Sequence, residues 1–391
     1  MSDKIIVIGS GISGVTTALT LQLLGYKTEI ITEKVPTDIA NKNAHPEFAS
    51  LYPSASVIPH SVYSDQLESI FKTSQAFFYE LRKLTFPGLV MHKHFEVFEE
   101  DPGDPKYRHW MMNPRPIYDL EPETIPKRKH SSNLHGWVFD CIFTDWPLYF
   151  PALIQVYKES GGQIIQQKVE ESDLDELPAD IIINCSGTGS PELFDDPIEE
   201  QLIMQGHLLH KPNADLITNN QNEIISYNYT PQASLYADQQ GEACDVYCYP
   251  RKDGWVLGGS RQAGQLSQQK WSQKSDTDHY EINNITFPKP IIDLNNEILN
   301  HTFGLSLEYS KELTPSVGYR YIRSTNNGLR LDQETISGKT VYHNYGHGGA
   351  GVTLSWGAAL QIAQQLTGGQ TTEIQEQLLQ KIKESDLEHL I

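Results

Sequence analysis

Long apolar runs are missing from this chain of 391 residues. None approaches the roughly 20 consecutive apolar residues of a membrane-spanning helix, so no membrane span or membrane partner is expected. Cysteine is scarce: Cys141, Cys185, Cys244 and Cys248 fall at irregular spacing, which excludes a disulfide framework. Cys244 and Cys248 have no second ligand pair nearby, so packed thiols are expected there and no metal site is read anywhere. Basic residues are outnumbered, 30 Lys and Arg against 50 Asp and Glu, for a formal net charge of −20. That balance argues against a nucleic-acid partner, which needs basic patches. It leaves room for an anionic small molecule only if a few local arginines overcome the general field. A leader segment is not expected, because a strand-like run begins almost at once. The ending Glu388-His389-Leu390-Ile391 is not of the peroxisomal Ser-Lys-Leu type, and a cytosolic location is expected.

The most informative stretch is residues 4–34. An apolar run from Ile5 to Ile8 meets Gly9-x-Gly11-x-x-Gly14, an Ala/Leu-rich helical pattern follows, and a second apolar run ends at Glu33. Each part has a role in holding a dinucleotide. Gly9 allows the tight turn, Gly11 lets a pyrophosphate approach the backbone, and Gly14 lets helix and strand pack closely. The free amides of the helix start, among them those of Ile12 and Ser13, face the phosphates. Glu33, with Lys34 beside it, is placed at the adenosine ribose.

Along the remainder, helical periodicity covers 64–83, and 100–130 reads as strands and loops rich in proline, charge and aromatics. A helix is expected over 146–160, stopped by Gly161-Gly162. Short strands are expected over 164–169 and 181–184, the latter running into Cys185-Ser186-Gly187-Thr188-Gly189. Residues 200–320 alternate like an antiparallel sheet, as at 245–250 and 255–259. Residues 341–367 give a strand, a second glycine turn (Tyr345-Gly346-His347-Gly348-Gly349-Ala350-Gly351) and a helix. The charged, Gln-rich tail reads as a surface helix. There is no internal repeat. Backbone donors from a glycine turn more than 300 residues after the first favour FAD over a nicotinamide cofactor, whose fingerprint sits in one compact unit.

Several short motifs, spread over about 4–367, resemble the D-amino acid oxidase family, FAD enzymes of the glutathione-reductase-type fold. They are Ile58-Pro59-His60, Lys168-Val169-Glu170, Ile183-Asn184-Cys185-Ser186-Gly187, Tyr247-x-Tyr249-Pro250, Leu257-Gly258-Gly259, Gly318-x-Arg320-x-x-Arg323 and His343-Asn344-Tyr345-Gly346-His347-Gly348-Gly349. The resemblance implies an α/β protein. A discontinuous Rossmann-like FAD-binding domain (1–60, 140–200 and 320–370) would carry an inserted, mostly antiparallel β-sheet substrate domain (61–139 and 201–319), with 371–391 as the surface tail. It implies that Arg320 grips the substrate α-carboxylate, as a guanidinium fork does through parallel hydrogen bonds. Tyr247 would orient that carboxylate and the Gly349 carbonyl would meet the amine. Val169 would touch adenine, Ala55 and Ser56 would wrap flavin and phosphates, and Ser186 and Gly187 would line the cofactor. Gly348, Gly349, Ala350, Gly351, Val352 and Thr353 would sit at the flavin end.

Within that family, Arg261 in Leu257-Gly258-Gly259-Ser260-Arg261-Gln262 resembles the D-aspartate oxidase branch, implying a grip on a distal carboxylate. An apolar ligand facing it would leave a buried charge unpaired. Three positions depart from the family pattern: Gln205-Gly206-His207 replaces Arg-Gly-Gln, Ala243 replaces a second tyrosine, and Gln240 replaces a further arginine of the aspartate branch. The implied reaction is oxidative deamination of a D-amino acid, with dioxygen, to a 2-oxo acid, ammonia and hydrogen peroxide, acidic substrates being preferred. The alternatives are an amine oxidase for neutral D-amino acids, glycine, sarcosine or a biosynthetic intermediate, and a catalytically silent FAD-binding protein. Oligomeric state is open, a homodimer included.

Overall fold

The first apolar run is buried from Ile5 onward and forms β1 (Lys4–Ile8), as a strand covered on both faces must. The computed structural model describes residues 4–53, 55–196, 201–267, 270–272, 277–307, 312–323 and 328–385. After β1 come α1 (Ile12–Leu23), β2 (Lys27–Thr32), α2 (Leu67–Lys83), β3 (Leu89–Phe98), β4 (Met112–Pro116), β5 (His135–Thr144), α3 (Trp146–Glu159), β6 (Gln163–Gln166), β7 (Ile181–Asn184) and the short α4 (Ser190–Phe194). Then follow β8 (Gln201–Pro212), β9 (Ile224–Thr230), β10 (Val246–Arg251), β11 (Gly254–Gly258), β12 (Gln262–Ser267), β13 (Lys270–Ser272), β14 (His279–Ile282), β15 (Ile285–Pro288) and α5 (Lys289–Phe303). The chain closes with β16 (Thr314–Arg323), β17 (Gln333–Ile336), β18 (Lys339–His343), α6 (Gly351–Thr367) and α7 (Thr371–Glu384).

Two large sheets organise these elements. The first has the order β17-β18-β7-β1-β2-β6, parallel except for the β17 edge. From β1 the chain steps outward through β2 to β6, then returns to the other side of β1 as β7 and β18. The reversal between β1 and β7 makes the crevice where such sheets bind ligands, at the carboxyl ends of the strands. The second sheet runs β13-β12-β8-β11-β10-β9-β3-β5-β4, with β16 along the free side of β8. Its named pairs are antiparallel except β3 with β9. One face packs on α5 in a core that includes Tyr227, Val246, Cys248 and Leu257. The opposite face, with Trp137, Phe139, Phe143, Tyr247 and Tyr249, joins the core of Val7, Ile12 and Val15 from the first sheet.

The sheets cut across the domain limits expected from sequence. The apolar stripe of α2 (Ile70, Phe71, Phe77, Phe78, Leu81) packs on α6 rather than belonging wholly to the second layer. The two helices touch at Gly357, where a Cβ would stand 2.1 Å from the Ile70 carbonyl oxygen. Residues 140–144, within β5, and 320–323, within β16, lie in the second sheet. The strand expected over 164–169 ends at Gln166, beyond which the chain turns away to bury Val169. The tail expected as a surface helix forms the helix α7, and one stripe of it docks: Ile374, Leu378 and Ile382, one turn apart, are buried in the main core. A stripe at i, i+4 and i+8 is the face a helix docks with. Residues 386–391 lie outside the described residues. Leu378→Ala should therefore cost about 2–5 kcal/mol in chemical denaturation; an unchanged midpoint would mean that α7 does not dock.

Candidate active site

Gly9 and Gly14 of the opening motif make the close backbone approaches that the steric argument asks of them, whereas Ser50 Oγ stands 3.1 Å from where a Cβ on Gly11 would be. Gly9 has φ +102°, and a Cβ there would lie 2.5 Å from the Cys185 carbonyl oxygen beyond β7. A Cβ on Gly14 would lie 2.0 Å from the Gly9 carbonyl oxygen. These contacts bring the start of α1 into the crevice between β1 and β7. Gly11 is the N-cap of α1, Ile12 N–H donates to Ser50 Oγ at 2.9 Å, and Ser13 Oγ stands 3.4 Å from His347 Nδ1. Ser186 is held by the Asn184 side chain, which accepts from its N–H and its hydroxyl, and Gly187 follows with φ +58°.

Glu33 and Lys34 follow β2 and pair with each other at 3.0 Å, Lys34 also reaching Glu47 at 3.2 Å. Glu33 keeps half its side chain exposed at the strand's carboxyl end. Val169 packs with Ile8 and Ile31 beneath the same edge.

The second glycine turn closes on the segment that carries Ala55 and Ser56. A Cβ on Gly348 would lie 2.1 Å from the Ser61 carbonyl oxygen, the same oxygen that accepts from Gly349 N–H. Thr353 Oγ1, in the first turn of α6, lies 3.1 Å from both the Ser56 and Ile58 carbonyl oxygens. Ala55 adopts φ +72°, and its carbonyl accepts from Thr144 N–H. Ala350 caps α6, Gly351 lies 3.6 Å from Ile12 at the position of an added Cβ, and Val352 packs on the shared core. Two helix starts, remote in sequence, thus stand side by side.

Arg320 projects from β16 over Gly206 of β8, where a Cβ would come within 2.9 Å of Nη2. Its Nη1 donates to the Ser260 carbonyl at 3.0 Å, and its Cδ passes Gly349. Among the described residues no carboxylate pairs with this half-buried guanidinium. Ser260 belongs to a β-bulge: Gly258 opposes Leu208 and Gln262 opposes Gln205, so three residues face two. Gly259 takes φ +135° to make the bulge, and Ser260 Oγ accepts from His207 N–H at 2.6 Å. Bulges re-aim side chains, and this one presents Arg261. The Tyr247 phenol crosses to Gly258, the residue opposite it, and its ring stacks on Tyr249 at 4.5 Å.

Arg261 donates from Nη2 to Asp245 Oδ1 at 2.6 Å, and that carboxylate raises its pKa. Asp245 had no place in the sequence expectations. Nor had Glu96, which shares the sheet face of Tyr247. Tyr107 Oη and Trp137 Nε1 each donate to Glu96 Oε2 at 2.6 Å, and His60 Nε2 lies 3.3 Å from Oε1. Burial pushes the Glu96 carboxyl up to about 7 against those two donors, with Asp245 raising it further and Arg261 lowering it. Burial holds His60 down to about 4, the Arg261 charge adding to the effect. Alternation of His92, His94 and Glu96 along β3 was the only sequence signal available, and polar alternation equally describes a solvated face.

The crevice, the close glycines and the paired helix starts fit an adenine dinucleotide. A cofactor laid there would meet Gly9, Gly11 and Gly14 at one end and the turn before α6 at the other. Comparison agrees with this fit. Residues 4–365 match the family model described as DAO, FAD dependent oxidoreductase. The chain belongs to this family, and its cofactor is FAD. It is 24% identical to a D-amino-acid oxidase of Rubrobacter xylanophilus over 92% of this chain and 94% of that one. It is 25% identical to a human D-aspartate oxidase over 92% and 93% of the two chains. Among solved structures, iminodiacetate oxidase from Chelativorans sp. BNC1 shares the fold with TM-score 0.60 and 17% identity, over 94% and 96% of the chains. Glycine oxidase from Geobacillus kaustophilus does so with TM-score 0.62 and 12% identity over the same shares. Among the described residues no helix is long and apolar enough to cross a membrane, and no cluster of three or more His, Cys, Asp or Glu could hold a metal ion.

Gly14→Val should abolish retention of flavin through purification, because the branched side chain must displace the Gly9 carbonyl; full flavin content would exclude this packing. Glu96 gives a pH test. Its folded value lies above the ordinary 4.5, so between about 4.5 and about 7 the folded protein holds the extra proton. The stability this contributes is complete below that window and lost as pH rises through it. Glu96→Gln should remove the loss, so the variant's melting temperature should gain on the wild type from pH 5 to pH 7.5. A constant difference would refute the raised value.

Proposed function

We propose that the chain oxidises a D-amino acid to a 2-oxo acid, ammonia and hydrogen peroxide, with preference for dicarboxylic substrates such as D-aspartate. The observation that supports this best is Arg320, half-buried without a carboxylate partner among the described residues, fastened by Ser260 and placed beside Gly349. A cation kept in that state is a receptor for an anion, and its planar fork suits a carboxylate. Tyr247 borders the same bulge and would orient the carboxylate. The Gly349 carbonyl would receive the amine.

FAD, when bound, supplies the two-electron acceptor. The first glycine turn, Glu33, Lys34, Val169, Ser186 and Gly187 would hold its adenine and pyrophosphate end. Ala55, Ser56 and the 348–353 turn would hold the flavin end. The substrate loses hydride from Cα and a proton from nitrogen to give the imino acid. Water then adds at that carbon and ammonia leaves, while dioxygen takes up two electrons and two protons as hydrogen peroxide. The residues of this chain serve by orientation: a reacting carbon held at fixed distance and angle reacts as if at very high concentration.

Arg261 supports the dicarboxylic preference, since it lies next to the residue that fastens Arg320. Its ion pair with Asp245 supports a second reading, a neutral amino acid substrate, because the pair already compensates its charge. Anaerobic bleaching of the flavin by D-Asp, D-Glu, D-Ala, D-Pro and their L forms separates these readings, and no bleaching by any of them would leave a silent flavoprotein. Arg320→Met should lower kcat/KM for every substrate by about a hundredfold or more, consistent with loss of a charge-assisted bidentate contact worth roughly 3 kcal/mol. Arg261→Leu should harm D-Asp far more than D-Ala; an equal loss would place Arg261 away from the substrate side chain.

A further inference from the structure

The Asp245–Arg261 pair is built more deliberately than a surface ion pair. Asp245 is buried, and its second oxygen accepts from Asn228 Nδ2 at 2.7 Å. Asn228 Oδ1 in turn accepts from Tyr249 Oη at 2.6 Å, and Tyr249 stacks face to face on Tyr247. The amide is thereby oriented: turned over, it would set its oxygen against a carboxylate and its nitrogen against a hydroxyl donor. Asp245 is thus clamped from β9 and β10 while its other oxygen takes one edge of Arg261. Arg261 itself keeps 38% of its side chain exposed. The guanidinium carries five donors, and Asp245 takes a hydrogen of Nη2 at 2.6 Å.

We propose that Asp245 is a positioning and specificity-determining residue, whose fixed carboxylate shares Arg261 with the substrate and limits how strongly a dicarboxylic amino acid is preferred over its neutral amide. This rests on the reading that Arg261 faces the substrate side chain. A distal carboxylate arriving at Arg261 is attracted by the cation and repelled by Asp245; the corresponding amide feels little of either. Asp245→Asn lifts the repulsion and keeps one oxygen for Arg261; its amide nitrogen then donates to Asn228 once that side chain turns over and the Tyr249 hydroxyl rotates to accept. Glu96 also faces this cluster and feels the Arg261 charge, but its Oε2 is taken by the Tyr107 and Trp137 donors, and Asp245 is the acid hydrogen-bonded to Arg261.

The test compares kcat/KM for D-Asp and D-Asn in the flavin-loaded wild type, Asp245→Asn, Asp245→Glu and Arg261→Leu, with flavin content and melting temperature as folding controls. Asp245→Asn is expected to raise the D-Asp to D-Asn ratio about tenfold or more, chiefly through a lower KM for D-Asp. Asp245→Glu, which retains the charge, should stay within about threefold of the wild type. If the Asn variant is not recovered folded, Asp245→Ser should move the ratio the same way. An unchanged ratio overturns the proposal, and a lower one does too, since it would make Asp245 the residue that aims Arg261 at the carboxylate. Arg261→Leu tells the two levels apart. If it collapses the ratio while Asp245→Asn leaves it alone, only the role of Asp245 fails. If it also leaves the ratio unchanged, the placement of Arg261 fails with it.

Discussion

Two backbone segments approach so closely at the head of β1 that no side-chain carbon fits between them. A Cβ on Gly14 would lie 2.0 Å from the Gly9 oxygen, and one on Gly9 would lie 2.5 Å from the Cys185 oxygen. This crowding sets the start of α1 directly over the strand ends and pins β7 beside β1. The second turn repeats the device, Gly348 closing on Ser61, and brings α6 alongside α1. Those contacts shape the cofactor crevice and the course of 55–61 beside it, while α2 meets α6 at Gly357 and α7 docks through its own apolar stripe. The same close approach packs the core and sets the two helix starts over the crevice, while the amides of Gly9, Ile12, Gly348 and Gly349, expected from sequence to face the cofactor, are bonded within the protein.

The second sheet contributes charge rather than shape. Against a background of net charge −20, an anionic group needs local cations, and two arginines meet at one bulge. Arg320 is kept without a carboxylate among the described residues, whereas Arg261 is matched to Asp245. The difference is topological. β16 runs beside β8, where Gly206 leaves room for the Arg320 guanidinium and the Tyr52 ring fills the space over Gly318, the residue opposite Gly206. The same bulge brings Arg261 to the start of β10, where Asp245 pairs with it. The uncharged polar groups behind it, from Asn228 to Tyr249, make that acid rigid.

Much of the first sheet was legible in the chain. β1, β7, α3 and α6 lie within a residue or two of where periodicity and glycine stops put them, because each carries a local signal of its own. The tail was harder. Its stripe of Ile374, Leu378 and Ile382 is visible, but composition alone reads as surface, and only the groove beside α6 gives the stripe a partner. Likewise the apolar stripe of α2 shows that it docks, not upon which sheet's helices.

The sequence by itself determined the cofactor class, since glycine spacing, a following helix and a terminal acid are local chemistry. It also singled out Arg320, Arg261 and Tyr247 as candidate substrate contacts, through motifs in a recognisable order. Only the tertiary structure decided what surrounds those residues. Asp245 lies 16 positions from Arg261, Glu96 41 positions from Trp137, and Gly349 nearly 290 positions from Ser61. Ion pairing, burial and the proton held by Glu96 depend on distances across strands, and no pattern along the chain encodes a distance between residues that meet only when the sheet has formed.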